Sequence, residues 1–346
     1  MRSIMLLAAA VAASSALAQT PNVIEAVEYD PDGNRWFVSN GSSLLVTENQ
    51  GGNWAFFGEA QASHGMEVMD GALFAIGNNV IRAYDLSSAA LLGELVIPGV
   101  GFLNGMGSNG EGLLAISDFQ GGRLYTVNAQ DPSQMTYNQL TGNLGVIPNG
   151  VVIDAANNRA IVVCWGNDAD ILSVDLESGD VTTLVAGTGL GNLDGIDDDG
   201  NGQYYVSSWS PTRITRYSAE FTEAETVVTG AGGLSSPADI SYAIALDTLG
   251  VANSGTDVVT FHGFGAPTSG IEPTPSFTAQ RAASDILLFC PTGGMVEVTA
   301  WDASGRLVHQ RSALIPAGQM RWPWPQTDGT SIVTVRYAGQ TMVTLR

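Results

Sequence analysis

Pro148-Asn149-Gly150-Val151-Val152-Ile153-Asp154 is a short apolar run headed by an amide and a glycine, and the chain repeats it. Leu193-Asp194-Gly195-Ile196 follows, and Leu103-Asn104-Gly105-Met106 and Ser63-His64-Gly65-Met66 come before. Ile24-Glu25-Ala26-Val27 and Pro237-Ala238-Asp239-Ile240 are the outermost, more divergent copies. Their second positions lie 39, 40, 45, 45 and 44 residues apart. A period of that size matches one four-stranded propeller blade.

The rest of each unit reads as strands. After Asp154, the stretch Ala155-Ala156-Asn157-Asn158 is a turn and Arg159–Trp165 a buried strand. Asp170–Asp175 then alternates, and Val181–Val185 closes the unit. The next unit repeats this with Gln203–Trp209 and Arg213–Tyr217. Past the leader there is no sustained helical period. Six units over residues 19–264 predict an all-β, six-bladed β-propeller. The competing account is a β-sandwich with accidental spacing, a fold that needs no fixed period. Residues 265–276 are Pro-rich and polar, which predicts an extended linker. Residues 277–346 hold short strands, Ile286–Phe289, Met295–Trp301, Arg306–His309 and Ile332–Tyr337, and read as a small β-sandwich.

Composition narrows the function. The 346 residues carry 34 Asp plus Glu against 13 basic residues, a formal charge of −21. All the basic residues are Arg, which excludes Schiff-base chemistry and a phosphate-loop lysine. So acidic a chain does not suit nucleic acid, whose backbone needs clustered basic groups. Three His, at 64, 262 and 309, leave little room for a histidine-rich metal site. Residues 1–18 read as a signal peptide, with Arg2, an apolar stretch and Ala16-Leu17-Ala18 before the cut. Losing Arg2 takes the charge from −21 to −22. Export to the cell surface or medium is expected, with no transmembrane segment after cleavage. Cys164 and Cys290 sit in separate apolar runs and read as two buried thiols, not a disulfide framework.

In a propeller the first strand of each blade lines the central channel. The repeats therefore place Glu25, His64, Asn104, Asn149, Asp194 and Ala238 at one level. Four of these carry side-chain oxygens suited to a hard cation, and two carboxylates plus amides favour Ca²⁺. Two plainer accounts stand beside this one. Asn-Gly and Asp-Gly are common hairpin turn pairs, although here they precede the first strand. The ring could also be a polar, water-filled channel. His64 reads as a ring member on the substrate side, not a catalytic base.

Pro148-Asn149-Gly150-Val151, Leu193-Asp194-Gly195-Ile196 and Glu25, four residues before Tyr29, resemble the SMP-30/gluconolactonase/LRE family over roughly 22–264. The resemblance implies one divalent cation held by Glu25, Asn149 and Asp194. It makes Asp194 the general base and Asn104 a substrate-side residue. The chain departs from the pattern twice: Ala26-Val27 stand where the family has Gly-Pro, and Phe102 where it often has Arg. The metal site is thus better supported than a sugar-lactone specificity. The expected chemistry is metal-assisted hydrolysis of a lactone or related ester. The alternative, from another class, is a non-catalytic propeller that binds a surface ligand or protein.

Two further patterns are set aside. Asp197-Asp198-Asp199-Gly200-Asn201-Gly202 resembles half of an EF-hand loop, but its twelfth position is Ser208, so it reads as a turn between strands. Gly187-Thr188-Gly189-Leu190-Gly191 opens no helix and reads as a connection between blades. No Gly-x-Ser-x-Gly elbow is present. At the C-terminus, Val298-Thr299-Ala300-Trp301-Asp302-Ala303-Ser304-Gly305-Arg306-Leu307-Val308 resembles the core of type IX secretion system sorting domains over about 283–346. An ordinary accessory sandwich is the other reading. The resemblance implies the type IX machinery as a partner and passage through the periplasm.

Overall fold

The computed structural model describes residues 18–48, 53–264, 278–282, 285–290, 294–315, 318–323, 330–337 and 340–345. The expected signal peptide, apart from Ala18, and the expected linker lie outside the described residues. The chain divides into two compact units, the first ending at Gly265 and the second starting at Ala266.

The first unit is built from six antiparallel sheets, each strand pairing with the next in sequence. Blade one comprises Val27–Asp30, Arg35–Asn40, Ser43–Thr47 and Ala55–Phe56. Blade two comprises Met66–Met69, Ala72–Gly77, Val80–Asp85 and Leu91–Val96, and blade three Leu103–Ser108, Leu113–Asp118, Arg123–Asn128 and Thr136–Gln139. Blade four runs through Ile147–Asp154, Arg159–Trp165, Ile171–Asp175 and Val181–Val185, and blade five through Gly191–Asp198, Tyr204–Ser210, Thr212–Tyr217 and Ala224–Thr229. Blade six has three described strands, Pro237–Ala243, Thr248–Asn253 and Val258–Gly263. The fold is an all-β propeller. Among the described residues no helix is long and apolar enough to cross a membrane.

Burial explains the sequence pattern within a blade. Second strands such as Ala72–Gly77 are buried throughout because both faces pack on neighbouring sheets, so they read as continuous apolar runs. The fourth strand Thr136–Gln139 is wholly exposed and correspondingly polar. In two blades the hairpin after the inner strand is fastened in the same way. Asp30 pairs with Arg35, and Asp154 with Arg159, each at 2.8 Å.

The core is not one mass but a set of interfaces, one between each pair of successive blades. Phe37 and Leu44 meet Leu73 and Ala75 between blades one and two. Phe74 and Ile76 meet Leu103 and Ile116 at the next interface, then Ala115 and Leu124 meet Val151 and Val162. Ile161 and Val163 meet Ile196 and Val206, and Tyr205 and Ile214 meet Ile240 and Leu249. The sixth interface closes the ring, joining Val27, Trp36 and Val38 of blade one to Ala243, Ala252 and Val259 of blade six. There the Trp36 ring lies edge-on to Phe261, 4.9 Å between centroids. A Cβ on Gly250 would sit 2.4 Å from the Trp36 ring, so only glycine fits. Tyr29 N–H donates to Ser241 Oγ at 3.1 Å and Asp239 N–H to the Glu25 carbonyl at 3.0 Å across the same seam.

The glycines of the repeat are explained by the axis, not by turns. Gly65, Gly105, Gly150 and Gly195 lie outside the left-handed region. Each instead faces the backbone of the next blade's inner strand. A Cβ on Gly105 would lie 2.3 Å from the Asn149 carbonyl oxygen, one on Gly150 2.2 Å from that of Asp194, and one on Gly195 2.8 Å from that of Ala238. The hairpin-turn account of the Asn-Gly pairs is therefore displaced by close packing of successive strands. In blades three to six the pairing of first with second strand shifts register at this motif. The resulting bulge re-aims a side chain and leaves an extra N–H. Ser117 Oγ accepts from Gly105 N–H, and Ser207 Oγ from Gly195 N–H, at 2.8 Å each.

The second unit holds two sheets. One orders Thr278–Ala282, Asp285–Cys290 and Gly318–Pro323; the other places Gly294–Asp302 between Leu307–Ile315 and Thr330–Tyr337, with Gln340–Leu345 at its edge. Ile286, Leu288 and Trp322 of the first pack against Val296, Val298, Val333 and Val335 of the second. Cys164 is buried and free, and burial lifts its thiol to about 12. The side chain of Cys290 lies outside the described residues.

Gly150→Ala should destabilise the protein by roughly 2–3 kcal/mol, the usual cost of overpacking against an immovable backbone. Gly142→Ala, with nothing within 4 Å of the added Cβ, should stay within about 0.5 kcal/mol of wild type. Urea unfolding midpoints of the two variants check this. Equal midpoints would show that the inner strands can yield.

Candidate functional site

The inner strands of the six blades contact one another in sequence order and close into a ring around the axis. The bulged motif positions form its first tier. Asn104, Asn149 and Asp194 are buried there, while Glu25 and His64 are half-buried. Three of them form one continuous row. Asn104 Nδ2 donates to Asn149 Oδ1 at 2.6 Å, and Asn149 Nδ2 donates to Asp194 Oδ1 at 2.9 Å and to the Leu193 carbonyl at 3.1 Å. Blades four and five thus hold two of the three expected cation ligands, Asn149 and Asp194, in direct contact, with Asn104 of blade three beside them.

Glu25 reaches the same tier from blade one. Burial raises its carboxyl to about 7. Burial also raises Asp194 well above the carboxylate range, and the charges of Glu25 and Asp239 add to it. The Asn149 hydrogen bond works the other way. The Trp209 indole adds a weaker pull of that sign, while its Nε1 has no full hydrogen-bond partner among the described residues. His64 sits at this level too, Nδ1 facing Ser63 Oγ at 2.9 Å. Burial depresses it to about 4, so near neutral pH it is an uncharged ring. Its neighbour is Phe102, edge-on at 4.6 Å.

Ala238 is fully buried, and blade six presents Asp239, one residue on, as its acid. Burial raises Asp239 well above its usual range, with Glu28 and Glu25 contributing. Below it lies a second tier that sequence reasoning missed. Glu28, Glu67 and Asp197 line a cavity of about 410 Å³ together with Asp239, Met66, Met106 and Tyr242. The cavity leaves each acid some solvent contact, yet all lie deep in the protein. Burial raises Glu28 to about 8, with Asp197 adding to it. Glu67 is raised by burial and by Glu28, Asp197 and Asp239. Asp197 is raised by burial and by Asp198 and Asp239, although Tyr242 N–H and Asp198 N–H donate to it.

A signal for this tier existed. Glu28, Glu67 and Asp197 each stand three residues after the motif position, so the same alignment of repeats that found Asp194 places them on one level. Three residues of strand are roughly 10 Å along the axis. Sequence order alone groups Asp197 with the turn that follows it. The turn does form, with Gly200 and Asn201 N–H groups donating to Asp198 and Asp199 at 2.7 and 2.8 Å. Asp197 belongs to the inner strand instead.

Among the described residues no group of three or more His, Cys, Asp or Glu side chains is placed to hold a metal ion. The Glu25–Asn149–Asp194 set has two carboxylates and an amide, a donor set of the oxygen chemistry that hard cations take. Two acids raised by burial, one of them further raised by the other, fit such a guest.

No family model matches the chain, and no curated protein matches it by sequence. Solved structures do match in fold. A calcium-binding protein, regucalcin, from Agrobacterium tumefaciens str. C58 is similar at 15% identity and TM-score 0.54, over 68% of this chain and 83% of that one. A structural-genomics protein of unknown function from Bacteroides thetaiotaomicron VPI-5482 is similar at 10% identity and TM-score 0.55, over 70% of each chain. A chain of the nidogen/laminin complex is similar at 12% identity and TM-score 0.51, over 66% of this chain and 92% of that one. At these identities the likeness is one of fold: the first unit is a β-propeller.

The raised carboxyls make stability pH-dependent. The folded state holds protons on Glu25 and Glu28 that the unfolded chain has released above about 4.5. Folded protein binds more protons, so stability falls as pH rises from about 4.5 to about 8. In EDTA the melting temperature should therefore be higher at pH 5 than at pH 8, and Glu28→Gln should flatten part of that slope. A slope of the opposite sign would mean the channel acids are ionised in the folded protein.

Proposed function

We propose that the protein is an exported hydrolase that opens a lactone or related ester with the help of a divalent cation, Ca²⁺ by donor chemistry. The observation that carries this reading is the buried Asn104–Asn149–Asp194 row with Glu25 at the same tier. Buried acids that repel one another are costly unless protonated or offset by positive charge. Glu25 and Asp194 would hold the cation through carboxylate oxygens and Asn149 through its amide. That amide carries both an acceptor and donors, so turning it over exchanges one for the other at Asp194. Regucalcin, similar in fold, is a calcium-binding protein, which supports the choice of ion.

A divalent cation, when bound, polarises an ester carbonyl and lowers the pKa of a water. The chain's own part is proton transfer and positioning. Asp194 takes the proton from the attacking water, a role suited to a carboxylate of raised proton affinity. Asn104, on the far side of Asn149, offers an amide N–H to the substrate. His64 is held neutral against Ser63 and Phe102 and serves as part of the wall.

Two sequence features, Ala26-Val27 and Phe102, favour the second reading, a propeller that binds a surface ligand without chemistry. The terminal unit we read as a sorting module for type IX secretion, supported by its Asp302-to-Val308 motif and its placement after the propeller. In a host with that machinery, deletion of residues 277–346 should leave the protein in the periplasm; unchanged release to the medium would remove the sorting role.

The deciding experiment is Ca²⁺ titration of the full chain by calorimetry, with Asp194→Ala alongside. One ion per chain is expected, with affinity in the variant lower by at least about tenfold, and EDTA-sensitive hydrolysis across a lactone panel. If neither wild type nor variant binds Ca²⁺ or opens any lactone, the hydrolase reading fails and the ligand-binding propeller stands.

A further inference from the structure

Beside the motif tier runs a feature that touches the proposed base only at its last ring, Trp209. Five half-buried aromatic rings, one from blade two, two from blade three and one each from blades four and five, follow one another in contact. His64 meets Phe102 at 4.6 Å, Phe102 meets Phe119 at 6.0 Å, Phe119 meets Trp165 at 5.8 Å and Trp165 meets Trp209 at 5.0 Å. All four contacts are edge-to-face. The backbone sets their level. Trp165 pairs with Ile147, two residues before Asn149, and Ser208 and Ser210, on either side of Trp209, pair with Leu193 and Gly191 just before Asp194. Phe119 N–H donates to the Phe102 carbonyl at 2.8 Å, two residues before Asn104. The arc therefore lies one step outside the amide–acid row and follows it from blade to blade.

Large aromatic rings are normally drawn into a core; here five are kept half-exposed side by side, next to the polar tier. The arc itself carries no charge, because His64 is neutral. The chain as a whole carries −21. An anionic ligand is disfavoured there, and a ligand with a flat apolar face is favoured. The extended, uncharged run of rings suits a ring system more than a compact cation.

We infer that the arc His64–Phe102–Phe119–Trp165–Trp209 is the subsite for the non-reacting part of the substrate, and that this part is an uncharged aromatic or similarly flat apolar ring. The substrate class is then a neutral ester or lactone bearing such a ring, not a sugar acid or phosphorylated lactone. This rests on the reading of the Glu25–Asn149–Asp194 tier as an ester-opening site, and it deepens that reading.

Binding and turnover are measured separately on the full chain. For binding, non-hydrolysable lactams are titrated by calorimetry: a benzo-fused δ-lactam and δ-valerolactam, which differ by the aromatic ring. The benzo-fused lactam should bind at least about tenfold more tightly, and Trp165→Ala should weaken it about five- to tenfold, the worth of one good aromatic contact. The affinity for δ-valerolactam should stay within about twofold, and Trp165→Phe should recover most of the loss. Phe119→Ala is the second variant, used if Trp165→Ala melts lower than wild type. Equal affinity for the two lactams, or equal weakening of both by Trp165→Ala, overturns the inference. For turnover, the matching lactones are used. Selective binding of the benzo-fused lactam without hydrolysis of either lactone would keep the subsite and reject the hydrolase. Hydrolysis of both lactones at equal efficiency, untouched by Trp165→Ala, would keep the hydrolase and reject the subsite.

Discussion

The close approach of inner strands around the axis is the constraint on which the rest depends. Gly105, Gly150 and Gly195 let each strand press its backbone on the next, to distances that any Cβ would violate. That contact brings the motif residues of successive blades within hydrogen-bond reach of one another. Asn104 can touch Asn149, and Asn149 can touch Asp194, because no side chain stands between them. The serines of the second strands, Ser39, Ser117 and Ser207, then absorb the N–H groups that the motif frees. Packing and site are consequences of the same small residues.

The electrostatics of the channel follow from that crowding. Six carboxyls, from Asp194 and Glu25 through Asp239 to Glu28, Glu67 and Asp197, share one axial column, and the charges acting among them are mutual. Burial is the largest cause of every raised proton affinity, and neighbouring acids are the next for all but Glu25 and Asp239. Such a column is stable either protonated or with positive charge supplied from outside the chain. To accept a proton during reaction an acid of this column must first be ionised, which positive charge supplied from outside the chain would favour. The same arrangement thus explains the pH dependence expected of the bare protein.

Blade closure uses a different device from the other five interfaces. At this seam Trp36 lies over Gly250, while the Asp239 N–H on the Glu25 carbonyl repeats the Gly65 N–H on the Asn104 carbonyl between blades two and three. Asp239 occupies the position where blades two to five have glycine, and this puts a carboxyl mid-channel that a strict alignment assigns to Ala238.

The period of the repeat was enough to read the six blades from residue order, because each blade is a local four-strand meander whose apolar and polar runs are set by burial within some forty residues. Glu25, His64, Asn104, Asn149, Asp194 and Ala238 could be placed at one level for the same reason, as equivalent points of a repeating unit, and the choice of Glu25, Asn149 and Asp194 among them came from the family resemblance. What order alone did not reach was direction and contact. Whether Asn149 faces Asp194, whether Asp197 belongs to a turn or to the channel, and whether Phe102 or Trp165 stands free or in a row depend on bulges and on the approach of strands distant in sequence. Those are properties of the closed ring. Local sequence determines the blade; only the juxtaposition of blades decides which side chains share a cavity and so how strongly their charges act on one another.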